Sequence, residues 1–120
     1  MPCKVTWKDK GLLWEFSGNI STEEFHPINL DHQGDSRWDG LKYLIADFRN
    51  VISIDLPEEE LVLIQAMDKA AAKSNPYLKI ASIANTNETR KLAEFYGTDT
   101  PWEYRVFETF AEASSWLESL

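Results

Sequence analysis

Three charged residues, Asp47, Arg49 and Asp55, lie where short apolar segments of the chain end. The apolar run LKYLIADF ends around Asp47 and Arg49, and the shorter run ISI ends at Asp55. Carboxylates and a guanidinium at such positions could bind a ligand or a partner, because α/β folds place their sites at strand ends. Asp47 and Arg49 could equally form a surface ion pair or cap a loop. We therefore treat all three as candidate binding residues, with these structural roles as the alternative.

The stretch ISIDLPEEEL, residues 52 to 61, also has a structural interpretation, in which Asp55 begins a helix. An aspartate accepts hydrogen bonds from the free N–H groups of a helical first turn, and Glu58 three residues later completes the cap. Pro57 fits a first turn because no hydrogen bond is lost there. The glutamates that follow would stabilise the helix, because their negative charges interact with the positive end of the helix dipole. We predict that Asp55 caps this helix.

Other residues that could do chemistry lack the arrangement that chemistry needs. His26 and His32 flank Asp31, but six positions on a helix correspond to about 240° of rotation, so the rings would point apart. Cys3 lacks an activating motif and is expected to be a small buried or edge residue. The chain has neither a phosphate-binding glycine loop nor a G-x-S-x-G elbow. We predict no metal, no cofactor and no catalytic activity.

Several aromatic residues lie in or beside polar loops, namely Trp38 and the pair Trp102 and Tyr104 of the run TPWEY. Exposed aromatics of this kind mark interfaces, whereas others fold over the edge of a core. Pro101 restricts Thr100 to extended conformations and so limits the directions of Trp102. We predict that Trp102 anchors a self-contact or a partner contact.

Composition restricts the class of protein. The chain of 120 residues is expected to form one domain, residues 1–120, with a core that needs no disulfide, since it has one cysteine. A formal net charge of −8 disfavours binding to nucleic acid and to anionic membranes. No run reaches the roughly 20 apolar residues of a membrane span, and no signal-peptide pattern is present. A cytoplasmic location is the expectation.

The pattern of apolar residues predicts the element order β-β-α-β-α-β-α-β-α. Residues 3–8 and 11–18 read as a hairpin, and LKYLIADF, LKIASIA and YRVF read as further strands. VISI is either a turn or a strand extension. Strands alternating with helices predict a mostly parallel sheet in a single α/β layer with about four helices.

Four helices are expected between and after these strands. The first begins at a Ser21–Glu24 capping box, is bent by Pro27 and ends near residue 33. The second spans about residues 56–74 and buries a stripe formed by Leu63, Ile64, Met67, Ala70 and Ala71. The third is capped by Thr86 or Asn87 and ends at a C-terminal glycine, Gly97. The last begins at a capping box of Thr109 and Glu112 and carries an apolar stripe: Ala113, Trp116, Leu117 and Leu120.

Three segments that span nearly the whole chain resemble the SpoIIAA-like proteins, relatives of the STAS domain. They are GLLWEFSGNISTEEF, LKYLIADFRNVISID and YRVFETFAEASSWLES. The residues that carry the resemblance are Gly18, Asn19, Ile20 and Ser21 before the first helix, Asp47 in the central strand, and the closing pattern Phe107, Glu112, Ala113, Trp116 and Leu117. The resemblance implies a STAS-like α/β fold.

In the regulatory STAS proteins an aspartate precedes a phosphorylatable serine at the start of a helix. The resemblance puts that aspartate at Asp55 and the serine position at Leu56, which has no hydroxyl. Ser53 lies on the wrong side of Asp55. The phosphoswitch is therefore not expected here.

The resemblance implies a non-enzymatic regulatory module that acts through a protein partner or as a homodimer. The alternative is a carrier or sensor of a small hydrophobic ligand, because the layout is similar to that of CRAL-TRIO lipid-binding domains and the many aromatics could line a pocket. A large apolar cavity between helices and sheet would favour the carrier.

Overall fold

The computed structural model describes residues 3–21 and 35–118. Its centre is a five-stranded sheet in the order β1-β2-β3-β4-β5, in which β1 and β2 are antiparallel and all other neighbours are parallel. The strands are β1 Cys3–Lys8, β2 Gly11–Ser21, β3 Tyr43–Asp55, β4 Lys79–Ile83 and β5 Glu103–Phe107. This sheet confirms the predicted hairpin followed by parallel strands.

The described residues form three α-helices and one short 3₁₀ helix, Ser36–Gly40. The α-helices are α1 Glu58–Ala71, α2 Asn87–Gly97 and α3 Phe110–Glu118. The helix predicted near residues 21–33, with Pro27, His26 and His32, falls outside the described residues apart from Ser21, which ends β2. No helix in the described ranges is long and apolar enough to cross a membrane.

The two faces of the sheet carry two separate clusters of buried residues. Alternate residues of a strand point to opposite faces, so Leu12 and Leu44 pack with α1 and α2, whereas Leu13 and Ile45 pack with Ala113 of α3. The larger cluster, under α1 and α2, contains the aromatic side chains Trp14, Phe16, Trp38, Phe48 and Trp102. This is the face on which an internal site could form.

β3 continues well past the point where β4 ends. Its pairing with β4 stops at Asp47, opposite Ile83, and β3 then pairs with β2 alone as far as Asp55. Two register shifts interrupt this pairing, and the second leaves Ile52 without a partner on β2 and 79% exposed. VISI is thus a bulged extension of the strand, which is one of the two alternatives that the sequence allowed.

The predicted cap at Asp55 is wrong. Asp55 is the exposed last residue of β3, paired with Ser21, and the cap position of α1 is taken by Pro57, which makes no side-chain cap hydrogen bond. Strand pairing holds Asp55 extended, two residues ahead of the cap position. Three glutamates do lie in the first turn of α1, as predicted: Glu58, Glu59 and Glu60. Their negative charges stabilise the helix by interacting with the positive end of its dipole.

The predicted buried stripe of α1 is partly wrong: Ile64 is buried and Met67 and Ala71 are half-buried, but Leu63 and Ala70 are exposed. The buried residues are Leu61, Ile64, Gln65 and Asp68, while Leu63 is 49% exposed. The reason is that two polar residues bind α2: the Gln65 side-chain amide, for example, donates to the carbonyls of Phe95 and Tyr96, both at 3.1 Å. The end of a helix has carbonyls without partners, so this contact favours a polar residue at the interface.

The caps of the two later helices are confirmed. Thr86 accepts a hydrogen bond from the Thr89 amide at 3.2 Å, and the Thr89 hydroxyl accepts one from the Thr86 amide. Thr109 accepts from the Glu112 amide at 3.2 Å. These short-range patterns need no tertiary contact, which is why the sequence revealed them.

The role predicted for Gly97 is wrong, because the left-handed conformation typical of a C-terminal glycine is not present there. Among the described glycines only Gly18 has a positive φ, and the residue after Gly97 remains right-handed. What Gly97 provides is space, since a Cβ at this position would lie 2.8 Å from the ring of Tyr104.

Gly97→Ala is therefore expected to lower the free energy of unfolding by about 1 kcal/mol, because overpacking against Tyr104 outweighs the better helix propensity of alanine. Gly40→Ala is the matched control, since a Cβ at Gly40 meets nothing within 4 Å. Urea unfolding of both variants measures the difference. A Gly97→Ala protein as stable as Gly40→Ala would show that the Tyr104 ring moves aside at no cost.

Candidate functional site

A cavity of about 60 Å³ lies between the sheet and helices α1 and α2. Most of its wall is apolar, and it includes Trp14, Ala46, Phe48, Ile64 and Leu92. One water molecule needs about 10–15 Å³ of such space, so the cavity has room for a few atoms of a small molecule. Polar groups meet this apolar wall at three places.

The first polar group joins α1 to α2. Asp68, 4% exposed, accepts a hydrogen bond of 2.6 Å from the hydroxyl of Tyr96, which in turn accepts from Thr100 at 3.2 Å. Burial raises the pKa of Tyr96 well above its usual value, and the neighbouring Asp68 carboxylate raises it further. Tyr96 therefore stays protonated and acts as a donor to Asp68.

The second polar group joins the sheet to α2. The hydroxyl of Tyr104 lies 2.8 Å from Ser82 Oγ and 2.9 Å from the carbonyl of Ala93. The carbonyl can only accept, so Tyr104 donates to Ala93 and accepts from the Ser82 hydroxyl. Burial raises the pKa of Tyr104, which keeps this proton in place. The Tyr104 and Tyr96 rings also meet edge to face at 5.1 Å.

The third polar group consists of Trp38, Trp102 and Asn75, all buried. The Trp102 indole N–H donates to the Asn75 carbonyl at 2.7 Å, and the two indole rings meet edge to face at 5.7 Å. The Asn75 side chain donates to the carbonyls of Trp38 and Leu41 at 2.8 and 2.9 Å. One asparagine thus joins the turn after α1 to the 3₁₀ helix and the segment that leads into β3.

The prediction that Trp102 anchors a surface contact is wrong. Trp102 is 6% exposed and packs on its own domain, so it cannot serve as a free interface residue in this conformation. Trp38 is 3% exposed, and both indoles therefore fold over the edge of the core. This was the alternative for loop aromatics that the sequence left open. Both residues, with Tyr104, instead line the cavity.

The candidates Asp47 and Arg49 lie on the opposite face of the sheet. The Arg49 guanidinium binds Asp47 through two hydrogen bonds of 3.0 and 2.8 Å, and the Arg49 backbone N–H donates to the same carboxylate at 3.0 Å. The hydrogen bond to Asp47 raises the pKa of Arg49. The Asp47 side chain is 5% exposed, so its oxygens face this pair rather than an open site. A binding role for these two residues stays a prediction.

Asp55, the remaining candidate, lies apart from both places. It is exposed at the end of β3, and the next residue, Leu56, lines the cavity. The five candidate residues therefore fall in three locations: Asp47 pairs with Arg49, Asp55 lies alone, and Trp102 and Tyr104 line the cavity. Among the polar cavity residues, sequence reasoning missed three, namely Asp68, Tyr96 and Ser82. Asp68 could have been found, because it is one turn of helix from Ile64 and two from Leu61.

Neither nucleophilic nor metal chemistry gains support in the described ranges. Burial raises the pKa of the Cys3 thiol to about 12, so at neutral pH it lacks the thiolate form that attacks substrates. No group of three histidine, cysteine or acidic side chains in the described part of the chain is arranged to hold a metal ion.

A second feature with functional potential is the outer face of α1, which we define by Glu59, Val62, Leu63, Ala66, Lys69, Ala70 and Lys73. All seven residues are exposed, and Val62 and Leu63 are 53% and 49% exposed. Within the described residues, Val62 and Leu63 are two of only four large apolar side chains with such exposure. A stripe of apolar residues on an exposed helix is typical of a binding surface.

Solved structures that share the fold of this chain include two proteins. One is the anti-sigma factor antagonist SpoIIAA in its unphosphorylated form, with a TM-score of 0.65 and 12% identity over 98% of this chain and 99% of that one. The other is an uncharacterized protein of the DUF3478 family with a SpoIIAA-like fold from Shewanella loihica PV-4. Its TM-score is 0.56, with 16% identity over 96% of this chain and 91% of that one.

These likenesses confirm the SpoIIAA-like fold that the three sequence segments indicated. Neither a protein-family model nor a curated protein sequence matches the chain. At such low identities the likeness shows the fold alone.

Proposed function

We propose that this chain is a non-enzymatic regulatory module that binds another protein through the outer face of α1. The observation that carries the proposal is the exposed apolar stripe of Val62, Leu63, Ala66 and Ala70, in a helix whose other side is buried on the sheet. The fold supports it as well, since SpoIIAA is an anti-sigma factor antagonist. Binding by a helix face needs no cofactor and no catalytic residue.

In our proposal, phosphorylation of the loop before α1 does not regulate binding by the outer face of α1. The resemblance to the STAS proteins puts Leu56 at the position of their phosphorylated serine, and Leu56 lines the cavity. The nearby Ser53 hydroxyl donates to the Asn19 side chain at 2.7 Å on the β2–β3 ribbon. The module we propose therefore needs no dephosphorylation of this loop before it binds. Incubation with a STAS-type kinase should accordingly leave residues 52–61 unmodified.

Leu63→Asp tests the proposal. The substitution puts a charge in the middle of the apolar stripe, so we expect partner capture from a lysate of the protein's own host to fall at least tenfold, because charge burial in an interface is costly. Tyr77→Asp is the matched control, since Tyr77 is 83% exposed and lies outside α1. Capture is compared by quantitative mass spectrometry. Equal capture by Leu63→Asp and wild type would show that α1 is not the binding surface.

A second candidate is a carrier or sensor of a small hydrophobic ligand, although the cavity of about 60 Å³ is not the large one that would favour a carrier. Its wall is apolar, and the buried indole N–H of Trp38 has no hydrogen-bond partner in the part of the chain that the structure describes. A buried donor left without an acceptor costs about 1–3 kcal/mol, which a ligand oxygen would recover. The ligand class that fits is a small apolar molecule with one carbonyl or ether oxygen.

Native mass spectrometry of protein purified from its host tests this candidate. We expect an added mass that Ala46→Leu removes, because Ala46 lines the cavity and a larger side chain fills it. Trp38→Phe keeps an aromatic ring but loses the N–H, so it should weaken retention without abolishing it. The cavity carries no ligand if wild type and Ala46→Leu both show the mass of the bare chain.

A further inference from the structure

We infer that the outer face of α1 binds a second copy of this chain, with the two α1 helices antiparallel across a two-fold axis at Ala66. This inference rests on the proposed function, because it names the occupant of the same surface. Three observations carry it, namely the spacing of the exposed residues, their sizes and the distribution of their charges.

The spacing of the exposed residues is symmetric about Ala66. Val62 and Ala70 are equally far from Ala66 along the helix, and so are Leu63 and Lys69, and Glu59 and Lys73. In a two-fold interface each residue of one helix faces its counterpart on the other, and Ala66 faces itself. Every residue that such pairing brings together is exposed in the single chain.

The sizes of these residues suit close packing of two helices. Ala66 lies on the axis, where its methyl group lets the helices approach, and Ala70 leaves a gap opposite Val62 of the second copy. Helix pairs pack at roughly 8–10 Å between axes, and the small residues at the contact set the lower distance. Leu63 faces Lys69, whose aliphatic stem can cover it.

The charges distinguish a second copy from another kind of helix. The N-terminal turn of α1 carries Glu58, Glu59 and Glu60, whereas Lys69 and Lys73 lie at or just beyond its C-terminal end. Antiparallel packing brings Glu59 of each copy next to Lys73 of the other, which forms two ion pairs. A uniformly basic helix would meet the lysines, and a uniformly acidic one would meet the glutamates. This charge separation therefore matches α1 itself.

Lys69 does not oppose the pairing. Its ammonium group binds Asp99 at 2.6 Å within the same chain, so its charge is compensated while its stem remains on the surface.

The net charge of −8 on each copy does oppose association. One helix per copy also gives an interface below the roughly 1,200 Å² of a stable complex, so the dimer is weak and measurements extend to about 500 µM chain.

The test uses Glu59→Lys and Lys73→Glu, two charge reversals at exposed positions. Each variant alone places like charges opposite each other in both contacts, so we expect its self-association to fall at least tenfold. In an equimolar mixture the heterodimer pairs the introduced lysine with the introduced glutamate at one contact, and the unchanged Lys73 with the unchanged Glu59 at the other. Association should therefore return to within about threefold of wild type. Sedimentation equilibrium and circular dichroism on all samples report association and folding.

Three results would overturn the inference: a wild type that stays monomeric, variants that associate as wild type does, or a mixture no better than its components. The proposed function is judged separately by partner capture with Leu63→Asp. If the wild type is monomeric and Leu63→Asp still reduces partner capture, the proposed function is retained and the dimer is rejected.

Discussion

Asn75→Asp is expected to lower the free energy of unfolding by about 3 kcal/mol or more at neutral pH. The Asn75 amide is 3% exposed and donates to two carbonyls, those of Trp38 and Leu41. A carboxylate has no proton to donate and would face both oxygens, so both hydrogen bonds are replaced by repulsion. The Trp38 carbonyl keeps the Leu41 backbone N–H as a donor at 3.1 Å, whereas the Leu41 carbonyl loses the Asn75 donor, and a buried acceptor left without a donor costs about 1–3 kcal/mol before the repulsion is added.

The same variant should recover stability as the pH falls. The carbonyls and the burial disfavour the charged form, so the folded-state pKa of the new carboxyl lies above its unfolded value of about 3.9. The folded state then binds the proton more tightly, and stability rises relative to wild type as the pH drops through the folded-state pKa. Urea unfolding between pH 7 and pH 4 measures this difference.

Asn75→Ala separates the charge from the lost donor. It removes the same hydrogen bonds without adding repulsion, so its loss of stability should be smaller than that of Asn75→Asp and independent of pH over this range. If both variants are equally unstable at every pH, the repulsion argument fails.

Trp102→Ala is expected to lower the free energy of unfolding by about 3–5 kcal/mol, the usual cost of deleting a buried aromatic side chain. The indole is 6% exposed, meets Trp38 edge to face and donates to the Asn75 carbonyl. The oligomeric state should not change, because the side chain does not reach the surface. Thermal melts and sedimentation on the same sample report the two properties.

Trp102→Phe is the control for the hydrogen bond. It keeps an aromatic ring in the core and loses the N–H, so its loss should be well below that of Trp102→Ala. A Trp102→Ala protein that melts like wild type but no longer associates would restore the surface role that we first predicted for this residue.

Much of the fold could be predicted because it depends on local patterns. The alternation of Leu12, Trp14 and Phe16 predicts β2, and the continuous apolar run around Ile45 predicts a strand buried on both faces. Thr86 and Thr109 begin their helices through hydrogen bonds that span three residues. In each case the residues that decide the structure are close in sequence.

The errors concern contacts between distant residues. The rotation of α1 depends on Gln65 and Asp68 meeting Tyr96, about thirty positions later, and a hydrophobic pattern cannot show that polar residues have partners. The sequence around Asp55 resembles a helix cap, because the contact that keeps Asp55 in β3 is its pairing with Ser21, which is distant in sequence. Trp102 looks exposed because its acceptor, the Asn75 carbonyl, is far away in sequence.

The unequal lengths of the strands give β3 two parts with different local stability. Up to Asp47 it lies between two neighbours, whereas from Asn50 to Asp55 it belongs to a bulged ribbon with β2 alone. Two-stranded ribbons are marginally stable, so the far part opens in local fluctuations that leave the central part closed. Amide protons of β3 should therefore exchange with solvent in two classes, those near Ile45 only on global unfolding and those near Ser53 far sooner. A single strand would thus report two separate free energies of opening.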